Sequence, residues 1–222
     1  MKRKNPLVVG QIYHIFNRSI ADYKIFKTDE DYSRMINTLR FYQILNPPTR
    51  FSLYLETPLV RKIGFQKSFE SFNAEPKIVE IIAYCIMPTH PHLILKELIE
   101  GGISTFMRKV LNSYSSYFNV KHKRNGPLWE NRFKNILVEN DEQLLHLSRY
   151  LHLNPVTAFL VDNPNQWPYS SYSEYIGEHT NNRLTRLEGI IDIKPQAYRK
   201  FVADRADYQR ELGKIKKLTL GY

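Results

Sequence analysis

His90-Pro91-His92 is the pattern in this chain best suited to holding a metal ion. Strand side chains alternate with period two, so both imidazoles project from one face as a bidentate platform. Such a site needs a partner for each remaining ring nitrogen, and a third ligand from elsewhere. Two polar residues at a strand end are the plain alternative. Tyr150 and Asn154 form a second pattern, sharing one helix face at i and i+4, with His146 one turn earlier. A phenol and an amide oxygen displayed together supply a nucleophile and a metal ligand. The ordinary uses are a packing ring for Tyr150 and a helix-terminal Asn154 before Pro155.

Periodicity locates the elements that must position these residues. Residues 9–15 read as a strand. The cluster Thr28, Asp29, Glu30 and Asp31 opens a helix to about Leu45, with Tyr32, Met35, Ile36, Leu39 and Tyr42 at helical spacing. Residues 46–77 read as a variable surface loop or insertion with a short hairpin. Residues 77–87 are a buried strand, Pro88-Thr89 a turn, and 90–96 its partner strand. A helix over 103–120 follows, then a strand or hairpin over 127–138. The last helix starts at Asp141, with a ridge of Leu144, Leu145, Leu147 and Leu151, and runs into Asn154-Pro155. The order β-α-β-β-α-β predicts an α+β fold: a ferredoxin-like split βαβ antiparallel sheet with helices on one face, plus a helical and loop C-terminal appendage. Residues 1–177 read as one domain and 178–222 as a basic extension.

The chain has 222 residues, 42% of them hydrophobic, which suits a globular domain and excludes fibrous and disordered classes. No apolar run approaches the roughly 20 residues that span a bilayer, and Leu7-Val8-Val9 is too short for a signal-peptide core. A cytoplasmic protein is expected, nucleoid-associated when bound to DNA. The single Cys85 excludes an internal disulfide and a cysteine zinc site. The net charge is +10, concentrated in two blocks. Between 102 and 138, Arg108, Lys109, Lys121, Lys123, Arg124, Arg132 and Lys134 face Glu130 alone; from 194 to 222 there are 8 basic and 3 acidic residues. A polyanionic partner is implied, with 15 Tyr and 12 Phe in the chain as a reservoir of stacking rings. Trp129, Phe133, Trp167, Tyr169 and Tyr172 are the rings nearest these motifs, although packing explains most of them.

Four separated segments carry a resemblance: the run Tyr13-His14-Ile15-Phe16-Asn17-Arg18, AYCIMPTHPHLIL at 83–95, GPLWENRF at 126–133 and RYLHLNPV at 149–156. In this order they resemble the REP-associated tyrosine transposases, single-tyrosine members of the HUH endonuclease superfamily with an insertion-sequence transposase-like domain. WPYSSYSEY at 167–175 is similar to that family's segment downstream of its Asn-Pro motif. The resemblance spans roughly residues 7–177 without 46–77. Two positions depart from it, Thr89 for an Asn and Pro91 for a hydrophobic residue.

The resemblance implies His90, His92 and Asn154 as ligands of a divalent ion, Mg2+ or Mn2+, and Tyr150 as the nucleophile. It implies cleavage and rejoining of single-stranded or hairpin DNA through a 5′-phosphotyrosine intermediate. Asn17 and Arg18 are expected near the active face, with Arg108, Lys109, Lys121, Lys123, Arg124, Arg132 and Lys134 on phosphates. The competing reading is a domesticated, non-catalytic binder of structured nucleic acid. Monomer and homodimer both stay open, and no membrane partner is expected.

Overall fold

The structure, a computed structural model, describes residues 6–178 and 183–206. Four strands, β1 (Ile12–Phe16), β2 (Val79–Met87), β3 (His90–Glu97) and β4 (Lys134–Val138), form one antiparallel sheet in the order β2-β3-β1-β4. That is the split βαβ order. Its two helices, α1 (Asp29–Tyr42) and α5 (Gly102–Lys121), cover one face. Alternation along the strands gives them Tyr13, Ile15, Tyr84, Ile86, Leu93 and Leu95 to pack against, and they answer with Met35, Leu39, Phe106, Val110 and Tyr114. Helix α6 (Asp141–Thr157) covers the opposite face, where Leu144 and Leu151 meet Ile82, Cys85 and Ile94. Short α7 (Tyr172–Tyr175) joins this second core. So does α8 (Pro195–Ala203), through Tyr198 and Val202. Cys85 is a fully buried filler, as expected.

Two buried carboxylates set the helix starts. Glu97, ending β3, accepts from the Ile103 N–H at 2.8 Å and caps α5. Gly102 permits this approach, because a Cβ there would lie 2.3 Å from the Ile78 carbonyl oxygen. Asp31 accepts from the Lys27 and Thr28 N–H groups at 3.0 and 3.1 Å, from Lys121 Nζ at 2.7 Å and from the Tyr117 hydroxyl at 2.9 Å. Burial pushes its carboxyl up, but the bonds from Lys121, Lys27, Tyr117 and Thr28 outweigh it and hold the group below its ordinary range. Asp31→Ala strands these donors and an ammonium, so a loss of about 3 kcal/mol of stability is expected in urea melts. Because the folded value is depressed, this stabilisation is complete above the unfolded Asp pKa of about 4 and disappears as pH falls through the folded value. The part of the wild-type acid dependence that Asp31 causes should be missing from Asp31→Asn.

Two expectations need correction. Residues 46–77 hold no hairpin; they form α2 (Phe51–Leu55), α3 (Pro58–Ile63) and α4 (Phe65–Phe69). Phe51, Tyr54 and Phe69 pack on Phe41 of α1, and Phe65 packs on those three, so the scattered aromatics are short helix faces. The last helix also does not stop at Asn154-Pro155. It continues to Thr157, and Asn154 lies inside it. Over 127–138 only Lys134–Val138 is strand. Among the described residues, no helix is long and apolar enough to cross a membrane. Lys214, Lys216 and Lys217, in the C-terminal basic block, lie outside the described residues.

Candidate active site

The β2–β3 hairpin fixes the histidines. Pro88-Thr89 closes a two-residue turn between Met87 and His90, which are paired. From there His90, His92 and Ile94 face α6, while Pro91, Leu93 and Leu95 face α1 and α5. Pro91 lies opposite Ile86, and β1 pairs with β3 only as far as His92, so the proline removes no β1–β3 hydrogen bond. The His90 and His92 rings lie 4.8 Å apart, edge to face.

Each ring is held at Nδ1. Thr89 Oγ1 lies 2.6 Å from His90 Nδ1, and His14 Nε2 lies 3.0 Å from His92 Nδ1. Both Nε2 atoms are thereby left for another partner. Thr89, one of the two departures, thus orients the first imidazole. His14 reaches His92 from β1, and Phe16 packs 5.0 Å from His14 and 5.9 Å from His92. Burial lowers the His14 pKa to about 4. Burial, with the charge of Arg18 second, lowers His90 to about 4. Burial, then His90, His14 and Arg18, holds His92 well below the ordinary value. All three rings are neutral at pH 7, the state a metal ligand requires.

Helix α6 brings Tyr150 to this pair. The Tyr150 ring centroid lies 6.1 Å from that of His92. The phenol is 41% exposed, so substrate can reach it. Burial of the rest of the ring raises its pKa, and the neighbouring Asn154 amide pulls it back in part. Asn154 is buried, and its Nδ2 has no hydrogen-bond partner. Two neutral imidazoles with open Nε2 atoms suit a divalent cation, whereas the unpartnered Nδ2 is a hydrogen-bond donor, so Asn154 would ligate one only through Oδ1. Among the described residues no three His, Cys, Asp or Glu side chains are placed to hold a metal. A third protein ligand would come from another residue type, such as the Asn154 amide oxygen.

His152 sets the seating of α6. Fully buried, it bonds Tyr198 of α8 through Nδ1 at 2.7 Å and Ser171 through Nε2 at 2.8 Å. Ser171 Oγ accepts from the Tyr84 N–H of β2 at 3.0 Å, so one imidazole ties α6 to the sheet and to α8. His146, by contrast, lies outside the cluster and bonds Arg149.

The basic residues divide by location. Asn17 and Arg18 directly follow β1; Asn17 is buried with Nδ2 unpartnered, and Arg18 is exposed and pairs with Asp22. Lys134 lies opposite Phe16 on the same sheet face, with exposed Arg132 two residues earlier. Arg108 and Lys109 are on the outer side of α5, across the sheet from the histidines. Lys121 pairs with Asp31 and Glu30. Arg124 bonds Asn119 and the Pro127 carbonyl, closing the turn after α5, where Lys123 has a positive φ of 49°. Of the rings, Phe133 and Tyr172 are buried, and Tyr169 stacks on Tyr32 at 3.7 Å. Trp129 and Trp167 donate to the Leu111 and Ile86 carbonyls.

Residues 61–154, which contain both histidines, Tyr150 and Asn154, match the family model described as "Transposase IS200 like". That stretch of the chain is similar to the IS200-like transposases. Across 104 residues it is 30% identical to a Haemophilus influenzae protein named as a REP-associated tyrosine transposase, covering 42% of this chain and 58% of that one. The match thus spans a little over half of the relative. A solved REP-associated tyrosine transposase, bound to a REP hairpin, has the same fold. Its TM-score is 0.53 at 15% identity, over 87% of this chain and 94% of that one. The matched segment takes in the end of α3, all of α4 and the rest of 61–77, which the sequence resemblance had left aside. His14 and His152 are the site residues that sequence reasoning missed. Both lie in quoted motifs, and alternation along β1 puts His14 on the histidine face.

Proposed function

We propose that this protein cuts and rejoins single-stranded or hairpin DNA, with Tyr150 as nucleophile and a divalent ion, Mg2+ or Mn2+, held by His90, His92 and Asn154. The observation that carries the reading is the exposed phenol beside His92, next to two histidines held at Nδ1 with their Nε2 atoms open. The Tyr150 oxygen attacks a backbone phosphorus and the bond to the 3′ oxygen breaks. The phenol proton passes, through solvent or a neighbouring group, to that oxygen, leaving a 5′-phosphotyrosine and a free 3′-hydroxyl. Attack by another 3′-hydroxyl reverses the bookkeeping, so rejoining needs no nucleotide cofactor. When bound, the cation supplies charge to polarise the scissile phosphate. Arg18, Arg132 and Lys134 border the site and favour incoming phosphates. The hairpin carried by the solved relative supports a hairpin substrate here.

Wild-type protein incubated with labelled hairpin oligonucleotides and Mn2+ should yield a denaturation-resistant protein–DNA adduct and a product with a free 3′-hydroxyl. Binding without adduct, over several hairpins and both metals, would instead establish the non-catalytic binder. His14 tests the support of the pair: His14→Phe keeps an aromatic ring but removes the bond to His92 Nδ1. Mn2+ affinity, measured by calorimetry, should fall about 10- to 100-fold.

A further inference from the structure

Behind the sheet, on the side away from the histidines, the outer surfaces of α1 and α5 and the α2 segment enclose an open groove of about 940 Å³. Arg34, Arg50, Arg108 and Lys109 line it. Its carboxylates, Glu30 and Glu56, are already paired, with Lys121 and with Arg61. Among the described residues none of these four forms an ion pair; a fifth lining cation, Lys121, is the partner of Glu30. Arg34 is the most telling. Its guanidinium lies 4.4 Å from the Phe51 ring and 5.1 Å from that of Tyr117, and its buried Nε has no hydrogen-bond partner. Burial lowers its pKa, but an arginine stays charged, so this is a fixed, partly desolvated cation facing open space. Neutral donors and acceptors, Asn112, Ser113 and Ser116, fill the wall between the charges.

Four cations outside any ion pair, spread over α1, the start of α2 and α5, match a run of phosphates better than one compact anion. We propose that this groove is a second nucleic-acid site, which takes the phosphodiester backbone of a segment other than the one at Tyr150. It rests on the DNA reading above and adds a separate surface, built in part by Arg50 and α2. The segment is either a distal part of the reacting strand or a second DNA molecule.

Fluorescence anisotropy over a salt series, with short hairpins and with the same hairpins carrying a long single-stranded flank, tests it. In Arg50→Gln/Arg108→Gln/Lys109→Gln the log–log salt slope for flanked DNA should drop by about 2, with affinity down at least about tenfold. Asn112→Glu/Ser116→Glu, on the exposed side of α5, should weaken binding in the same way without removing a cation. A loss confined to flanked DNA at one DNA per chain identifies the distal strand. Loss of a second equivalent of short hairpin identifies a separate molecule. Wild-type affinity and slope in both variants on every DNA would overturn the proposal. Adduct formation by the wild type is read in parallel: an adduct with unchanged slopes sinks the groove alone, and reduced slopes without adduct sink only the nuclease.

Discussion

Tyr150→Phe should bind hairpin DNA as the wild type does and form no covalent adduct, with cleavage reduced roughly a thousandfold or more. The substitution removes one oxygen and keeps a ring that packs edge-on to His92, so the seating of α6, set by His152, Leu144 and Leu151, is untouched. Exposed Tyr23 is the matched control. Tyr169 is a second, because its hydroxyl donates to Asp29 at 2.5 Å, far from the imidazoles in sequence and on α1. Their Phe variants should still form the adduct. Equal loss of DNA affinity in Tyr150→Phe would show the phenol to be a binding group.

His90→Ala/His92→Ala should abolish the single Mn2+ site expected by calorimetry, and adduct formation with it, while the far-ultraviolet circular dichroism stays that of wild type. Removing both rings leaves only Asn154, and one neutral amide cannot hold a divalent ion against water. The hairpin itself is secured by pairing from Val79↔Glu97 to Met87↔His90, so the backbone has no need of the imidazoles. Undiminished Mn2+ binding in the double variant would place the ion elsewhere. Neutral histidine side chains would then have only a packing role on this face.

How far these residues could be read from sequence follows from the range of the interactions involved. The His pair was legible because strand alternation is local, and the i, i+4 relation of Tyr150 and Asn154 is equally local. Their meeting was not. It depends on α6 lying across the face opposite α1 and α5, which no periodicity in 141–157 specifies. The end of α6 was misread because Pro155 is a strong stop signal. In the fold Pro155 forfeits one hydrogen bond, while the Asn154 carbonyl still accepts from Ala158 N–H at 2.9 Å, and the helix gains a further turn. Residues 46–77 defeated the pattern for another reason. Helices of five or six residues show only one apolar repeat, and what stabilises them is tertiary packing on Phe41 of the preceding helix. His14 needed a tertiary fact as well, the pairing of β1 beside β3 that brings its Nε2 to His92.

Digestion of the wild-type protein–DNA adduct, followed by mass spectrometry of the nucleotide-bearing peptide, tests the central claim most directly. One modified side chain is expected, Tyr150, carrying the 5′ phosphate of the cleaved strand. A nucleotide on any other residue would contradict it.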